Sequence, residues 1–178
     1  TTLSMAACSN FQMSHSPLKN HQSVPGCLAC QMVDGELSAP GGIIAENAWW
    51  IADHCLGKHG AGAVIIKTRA HRENFWQLTP NEAASLGPFL QQMTYAMQVA
   101  LKAERIYINS WVDQPPYHIH FVLQPRFAGN EELGLQGLEL QIYRSLQAEP
   151  SEADVIAIAD KIRQAYQTVS SQSSLSRR

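Results

Sequence analysis

Hydrophobic and polar positions alternate in three short segments of the first half of the chain, as they do in β-strands. The segments span residues 42–45, 49–52 and 63–67, and a glycine-rich turn separates the second from the third. Because the segments follow one another closely, we expect three consecutive antiparallel strands.

Two later segments show the longer repeat of amphipathic helices. The first begins at Thr79, which offers an N-cap hydroxyl, with Pro80 in the first turn and the carboxylate of Glu82 three residues after the cap. We expect this helix to be long and to pack across the sheet. Its apolar face comprises Ala83, Leu86, Leu90, Met93, Met97, Ala100 and Leu101. A second capping signature at Ser151 opens a helix whose apolar side comprises Val155, Ile158, Ile162, Ala165 and Val169.

Residues 117–126 alternate histidines with apolar residues, which predicts a strand with His118 and His120 on one face. The apolar face comprises Ile119, Phe121 and Leu123. Residues 105–111 are also predicted as a strand, and a turn at 113–116 would join the two strands into a hairpin. Two imidazoles on one face can share a metal ion, relay protons, or act separately as a ligand and a nucleophile.

The length of 178 residues and the hydrophobic content of 45% suit one globular domain. We expect an N-terminal extension at 1–25 and an α+β domain at 26–128. A helical appendage would follow at 129–170, with a tail at 171–178.

The net charge of −2 shows no basic excess, which favours a nucleotide ligand over a polynucleotide. The four cysteines are too few for the disulfide framework of a small secreted domain, and no apolar run is long enough to span a membrane. The sequence therefore predicts no membrane partner and a cytoplasmic location.

Four residues have the ligand types of a tetrahedral zinc site: Cys27, Cys30, His71 and His118. The alternatives for the Cys-x-x-Cys pair are a redox centre or plain buried thiols. A redox pair ordinarily begins a helix in a thioredoxin-like pattern, whereas glycine and proline surround this one, so zinc is favoured.

His120 becomes a candidate nucleophile if zinc binds His118, because a neutral imidazole can attack phosphorus and form a phosphoramidate. The alternative is a hydrogen-bonded histidine in the core. Phosphoryl transfer depends on positioning and charge stabilisation, so Asn109, Ser110 and Gln114 are candidates for contacting the phosphate. Structural roles at a strand end or a turn also fit these three residues.

Together these motifs resemble the histidine triad (HIT) superfamily of nucleotide hydrolases and transferases. The HIT signature is His-φ-His-φ-His-φ-φ, where φ is apolar and Pro-Arg often follows, and it corresponds here to residues 118–126. The resemblance extends from about Cys27 to Arg126. It implies an α+β HIT-like fold, in which a long helix packs across an antiparallel sheet, and a homodimer.

The resemblance also implies roles for individual residues. The implied ligands of a structural Zn²⁺ are Cys27, Cys30, His71 and His118. His120 would be the nucleophile that accepts a nucleoside monophosphate, and Asn109 and Gln114 would lie near the phosphates.

The chain departs from the HIT motif at its third position, where Val122 stands. The third histidine of the family assists phosphate binding and proton handling, so Val122 predicts reduced or redirected hydrolysis. Gln124 has the same parity as His118 and His120 and is predicted to hydrogen-bond a phosphate oxygen. The related galactose-1-phosphate uridylyltransferases also lack the third histidine, but they have glutamine in its place.

The sequence therefore predicts a nucleotide hydrolase or nucleotidyltransferase. It would act on a phosphate ester, anhydride or phosphoramidate through a covalent intermediate on His120. One alternative is a catalytically weak nucleotide-binding module. The other is a zinc-stabilised scaffold that docks protein partners through the helix after Ser151.

Overall fold

The computed structural model describes residues 22–128 and 134–175. Most of the predicted extension (1–21), the start of the predicted appendage (129–133) and the end of the predicted tail (176–178) lie outside this part of the chain. In the two described ranges no helix is both long enough and apolar enough to cross a membrane.

The described residues contain one antiparallel sheet of five strands in the order β1-β2-β3-β5-β4. The strands are β1 (Ile43–Glu46), β2 (Trp50–His54), β3 (Val64–Thr68), β4 (Arg105–Asn109) and β5 (His120–Arg126). The predicted strands and the hairpin of β4 and β5 are confirmed. The strand ends differ slightly, since β4 stops at Asn109 and β5 starts only at His120.

The predicted long helix is α2 (Pro80–Leu101), and it begins where the capping signature places it. Thr79 Oγ1 accepts a hydrogen bond from Glu82 N at 3.3 Å, and the Glu82 carboxylate accepts one from Thr79 N at 2.7 Å. The buried apolar residues of α2 are Leu86, Phe89, Met93, Ala96 and Met97. Ala83, which the periodicity placed on the apolar face, is exposed.

The helix predicted from Ser151 is α4 (Glu152–Leu175), which continues past the predicted boundary at residue 170. Ala159 and Ile162 are fully buried in the core cluster that α4 shares with α2 and the sheet. Phe89 of α2 meets Tyr166 of α4 edge-to-face at 5.9 Å between ring centroids. This helix is therefore part of the main core, where the sequence predicted an appendage.

The two faces of the sheet have different partners. Leu123 of β5 is fully buried, pairs with Val64 of β3 and belongs to the core under α2. Alternation along the strand turns His120 and Val122 to the opposite face, where His120 is the cross-strand partner of Lys67. The core thus occupies one face of the sheet, and the polar residues of the predicted site occupy the other.

Candidate metal and active site

The Cys-x-x-Cys pair lies at the start of a short helix, α1 (Leu28–Val33), which the sequence did not predict. Gly26 has a φ of 79°, and this turn places Cys27 at the N-cap of α1. The sequence argued against a redox pair because no helix was expected to begin at these cysteines. A helix does begin there, so that argument was wrong. The choice between metal and redox chemistry depends instead on what surrounds the two thiols.

The structure brings the four predicted zinc ligands together. One ligand atom from each of Cys27, Cys30, His71 and His118 lies within 4.8 Å of all the others. Nδ1 of His118 is 3.4 Å from Sγ of Cys27 and 3.6 Å from Sγ of Cys30, and Nδ1 of His71 is 3.3 Å from Sγ of Cys30.

These separations fit a tetrahedral metal ion. With zinc–sulfur bonds of about 2.3 Å and zinc–nitrogen bonds of about 2.0–2.1 Å, ligand atoms are roughly 3.5 Å apart. Burial raises the pKa of Cys30 to about 11, so a divalent cation is needed to hold that buried group as a thiolate at neutral pH. The donor set and its spacing therefore suggest zinc binding.

His118 is held in the orientation of a metal ligand. Its Nε2 is 2.9 Å from the main-chain oxygen of Thr68, which accepts the Nε2–H and leaves the Nδ1 lone pair directed at the thiols. Burial, with a smaller contribution from charge repulsion by the nearby His71, lowers the pKa of His118 to about 4. The imidazole is therefore neutral, as metal ligation requires.

His120 differs from His118 in both environment and orientation. Its Nδ1 is 2.9 Å from the main-chain oxygen of His118, so Nδ1 carries the proton and Nε2 carries the lone pair. His120 is partly exposed and lines two adjacent cavities, so it is not the buried core residue of the alternative interpretation. That description fits His54, which is 1% exposed and accepts a hydrogen bond from Gly62 N at 2.9 Å.

The two cavities have volumes of about 530 Å³ and 500 Å³ and meet at His120. The larger is bounded by α1, the β2–β3 loop, β5 and a short helix, α3 (Gly137–Ser145). Its wall is mainly apolar, with a few polar groups, as in pockets that bind small molecules. The second cavity adjoins the cluster of candidate metal ligands, because Cys27 and His118 also line it.

The other predicted site residues have different surroundings. Asn109 lines the larger cavity and Gln114 the smaller one, each together with His120. Ser110 Oγ instead donates a hydrogen bond to the main-chain oxygen of His120 at 2.8 Å. Gln124 also lines the larger cavity, but its Nε2 donates to the main-chain oxygen of His59 at 3.3 Å.

A buried ion pair lies beside His120, and the sequence interpretation missed it. Lys67 is completely buried, pairs across the strands with His120 and binds the carboxylate of Asp53. Burial raises the pKa of Asp53, while Lys67 opposes that shift. The alternation of β2 and β3 was the signal available, because it places both charged residues on the face opposite Trp50 and Ile66.

The helix α3 and the β2–β3 loop close the larger cavity, and neither was predicted to do so. Leu138 and Ile142 of α3 line the cavity while remaining 59% and 54% exposed. Gly60 in the loop has a φ of 82°, and a Cβ there would lie 2.9 Å from Cδ of Arg144. The positive φ therefore favours glycine at this position, where the loop packs against the Arg144 side chain.

Comparisons with known proteins agree on the fold. No protein-family model and no curated protein matches the sequence. A hypothetical histidine triad nucleotide-binding protein of Sulfolobus tokodaii superposes with a TM-score of 0.65 at 16% identity, over 80% of this chain and 93% of that one. A zinc-bound histidine triad family protein of Mycobacterium smegmatis superposes with a TM-score of 0.63 at 18% identity, over 83% of this chain and 97% of that one.

A third similar structure is a Hit-like protein involved in cell-cycle regulation from Bartonella henselae. It superposes with a TM-score of 0.59 at 20% identity and covers 76% of this chain and 92% of that one. This α+β chain, in which five antiparallel strands carry a long helix across one face, therefore has the fold of the histidine triad proteins.

Proposed function

We propose that this protein is a HIT-like nucleotide hydrolase or nucleotidyltransferase that works through a nucleotidyl intermediate on His120. The observation that carries the proposal is the unprotonated Nε2 of His120 at the junction of two cavities of small-molecule size. The HIT fold adds support, since a similar structure is described as a nucleotide-binding protein.

The proposed reaction has two steps. Nε2 of His120 bonds to the α-phosphorus while the bond from phosphorus to the leaving group breaks, so the nucleotidyl group is transferred to the protein. Water or another acceptor then attacks the phosphorus, and the electron pair of the phosphorus–nitrogen bond returns to Nε2. The leaving group can be an alcohol, a phosphate or an amine, so the substrate is correspondingly a phosphate ester, an anhydride or a phosphoramidate.

A structural zinc ion would be held by Cys27, Cys30, His71 and His118. Bound there, it would tie α1 and the end of β3 to the residues that precede β5, which fixes the position of His120. The similarity of fold to a protein described as a zinc-bound histidine triad protein supports zinc as the metal. In this proposal the metal supplies rigidity, and the chemistry belongs to the imidazole.

Asn109 and Gln114 are proposed to contact the nucleotide, because each lines a cavity together with His120. Ser110 would act indirectly by holding the main chain of His120. Gln124 is also proposed as a nucleotide-binding residue, because it lines the larger cavity. Its amide nitrogen already donates a hydrogen bond to His59 O, so that nitrogen is not assigned to a phosphate.

A catalytically weak nucleotide-binding module is the second candidate, and Val122 favours it. This side chain lines the larger cavity between His120 and Gln124 and offers no proton at the third position of the motif. The scaffold alternative has less support, because the apolar side of α4 is buried against the core and is not available to a partner.

A homodimer is proposed from the edge of the sheet. The strand β4 is an edge strand, and Ile108 and Trp111 on or just after it are 47% and 54% exposed. Tyr95 and Val99 on α2, which packs against β4, are also exposed, so a second copy could cover exposed apolar side chains at this edge. Light scattering of the purified protein would give the mass of the assembly.

Native mass spectrometry with a panel of adenylyl, guanylyl, uridylyl and cytidylyl donors tests the proposed function. We expect one zinc ion per chain, bound nucleotide, and release of nucleoside monophosphate. His120→Ala should retain zinc and reversible binding but release no product. Binding without release in the wild type would favour the binding module, and no binding of any donor would contradict both nucleotide proposals.

A further inference from the structure

The nucleophile His120 needs a group that exchanges protons with the leaving group and with water. Besides His120, the titratable side chains on the described wall of the larger cavity are Cys55, Lys58, His59 and Asp113. Burial raises the pKa of Cys55 far above its usual range. Lysine and aspartate ordinarily titrate about three units from neutrality, whereas imidazole titrates at about 6.5. The chemistry of His59 therefore fits this task best.

The main chain of His59 is fixed from two sides. Its nitrogen donates to Gly57 O at 3.0 Å, and its oxygen accepts from Gln124 Nε2 at 3.3 Å. Gln124 is 2% exposed and belongs to β5, the strand that begins with His120. The loop that carries His59 is thus attached to the strand that carries the nucleophile.

The imidazole of His59 lines the same cavity as His120. His59 is exposed to solvent on one side, and its partial desolvation at the cavity wall, together with charge repulsion from His120, lowers its pKa. Because both rings line one cavity, a ligand that fills it can contact both. An anionic phosphate placed between them would favour the protonated form of His59, because opposite charges stabilise each other.

We propose that His59 is the acid–base partner of His120. The loop between β2 and β3 carries His59 to the wall of the same cavity, where the third position of the motif holds the apolar Val122. The inference rests on the proposed function and deepens it, since it assigns the proton transfers of that same site.

The proton transfers follow the two steps of the reaction. As Nε2 of His120 bonds to phosphorus and the bond to the leaving oxygen breaks, that oxygen takes a proton from protonated His59. In the second step a water oxygen bonds to phosphorus, the phosphorus–nitrogen electron pair returns to Nε2, and His59 takes a proton from the water. Both histidines are then restored.

The test compares the wild type, His59→Ala and His59→Ala with Val122→His. The substrates are the methyl and 4-nitrophenyl esters of the nucleoside 5′-monophosphate that the wild type turns over fastest. The readouts are single-turnover rates of adduct formation and adduct loss, followed by intact mass. Because His59 is exposed on a loop, the alanine variant is expected to fold, and its circular dichroism spectrum would verify this.

With the methyl ester, His59→Ala should slow adduct formation by about 100-fold or more, because an alkoxide leaves poorly without a proton. With the 4-nitrophenyl ester, whose leaving group needs no proton, adduct formation should stay within threefold of the wild type. Adduct loss should slow for both esters, since water attacks the same intermediate. With the methyl ester, adding Val122→His to His59→Ala should raise the rate of adduct formation at least tenfold above that of His59→Ala alone, because it places an imidazole beside the same cavity.

Equal slowing of adduct formation for both esters would overturn the proposal, because it would indicate a general structural role. Unchanged rates with the methyl ester would overturn it as well. A wild type that forms no adduct and releases no product would instead refute the proposed function itself, so the two failures are distinguishable.

Discussion

The protonation state of the Cys30 thiol would depend strongly on a bound metal ion. The pKa of this thiol is raised to about 11, mainly by burial and in smaller part by Cys27 and Asp34. A bound dication reverses this preference, so the free energy of metal binding contributes directly to folding. The four candidate ligands come from the N-cap and first turn of α1, the segment after β3 and the segment before β5, so a bound metal ion would link three parts of the chain.

Cys30→Ser is expected to abolish zinc binding and to lower the free energy of unfolding by about 4 kcal/mol or more, as losses of structural metals do. Metal analysis and urea unfolding measure the two effects. Cys55→Ala is the matched control, because Cys55 is equally buried but lies outside the cluster. Retention of one zinc ion per chain in Cys30→Ser would contradict the proposed ligand set.

Gln124→Leu separates two roles of that side chain. If its amide holds the loop through His59 O, the variant should lose about 1 kcal/mol of stability and slow adduct loss, while affinity for nucleoside monophosphate changes little. If the amide contacts phosphate, affinity should fall instead. Titration calorimetry measures the affinity for nucleoside monophosphate, and single-turnover experiments measure the rate of adduct loss. If neither the affinity nor the rate changes, both roles are excluded.

The start of α2 connects the helix to the histidine strand. Glu82 accepts hydrogen bonds from Arg72 Nε at 3.1 Å and Arg72 Nη2 at 3.2 Å. The main-chain oxygen of Arg72 accepts from Ile119 N at 2.6 Å, at the residue between His118 and His120. A carboxylate that caps a helix thus also positions the segment that carries both histidines.

Glu82→Gln should lower the free energy of unfolding by about 1–2 kcal/mol at pH 7. Burial alone would raise the pKa of Glu82, but hydrogen bonds from Arg72 and Thr79 outweigh it and hold the pKa below its ordinary value of 4.5. The ionised form therefore stabilises the fold fully above pH 4.5 and loses this effect as pH falls through the depressed value.

The measurement is urea unfolding of both proteins in the presence of a chelator, so that metal release in acid does not contribute. The difference between wild type and variant should narrow below pH 4.5. A difference that is the same at pH 7 and in acid would show that the carboxylate charge does not matter.

The helix α3 is expected to determine affinity more than stability. Ile142→Ala should weaken nucleotide binding by about fivefold, since it removes roughly 1 kcal/mol of apolar contact from the cavity wall. Because Ile142 is 54% exposed, unfolding should change little. Glu139→Ala on the same helix is the control, and equal affinity in both variants would contradict a role for α3 in the cavity.

At the scale of the whole molecule, the periodicity of apolar residues predicted the sheet and the two long helices. The strands, α2 and α4 were predictable because each repeats its apolar positions over several residues and buries them in one core. The helix α3 was not, because it has only nine residues, begins at Gly137 and follows Gly134, and these two glycines suggested a loop. The short α1 was hidden for a similar reason, behind the turn at Gly26.

The candidate metal ligands could be predicted from the sequence, but the segments that close the cavity around His120 could not. The candidate ligand cluster was expected from residue types, from the Cys-x-x-Cys spacing and from the resemblance, which together gave Cys27, Cys30, His71 and His118. The approach of His59 depends instead on how a loop folds back onto β5, which no local pattern in the sequence specifies. Cavity walls formed by distant segments are therefore the part that only the three-dimensional structure supplies.

The central claim is a covalent bond between His120 and a nucleotide, and intact mass spectrometry after denaturation tests it most directly. The wild type, quenched in base during turnover and mapped by peptide, should carry a nucleotidyl group on the peptide that contains His120. His120→Ala should carry none. Product release without any adduct, or nucleotide that dissociates completely on denaturation, would contradict the account.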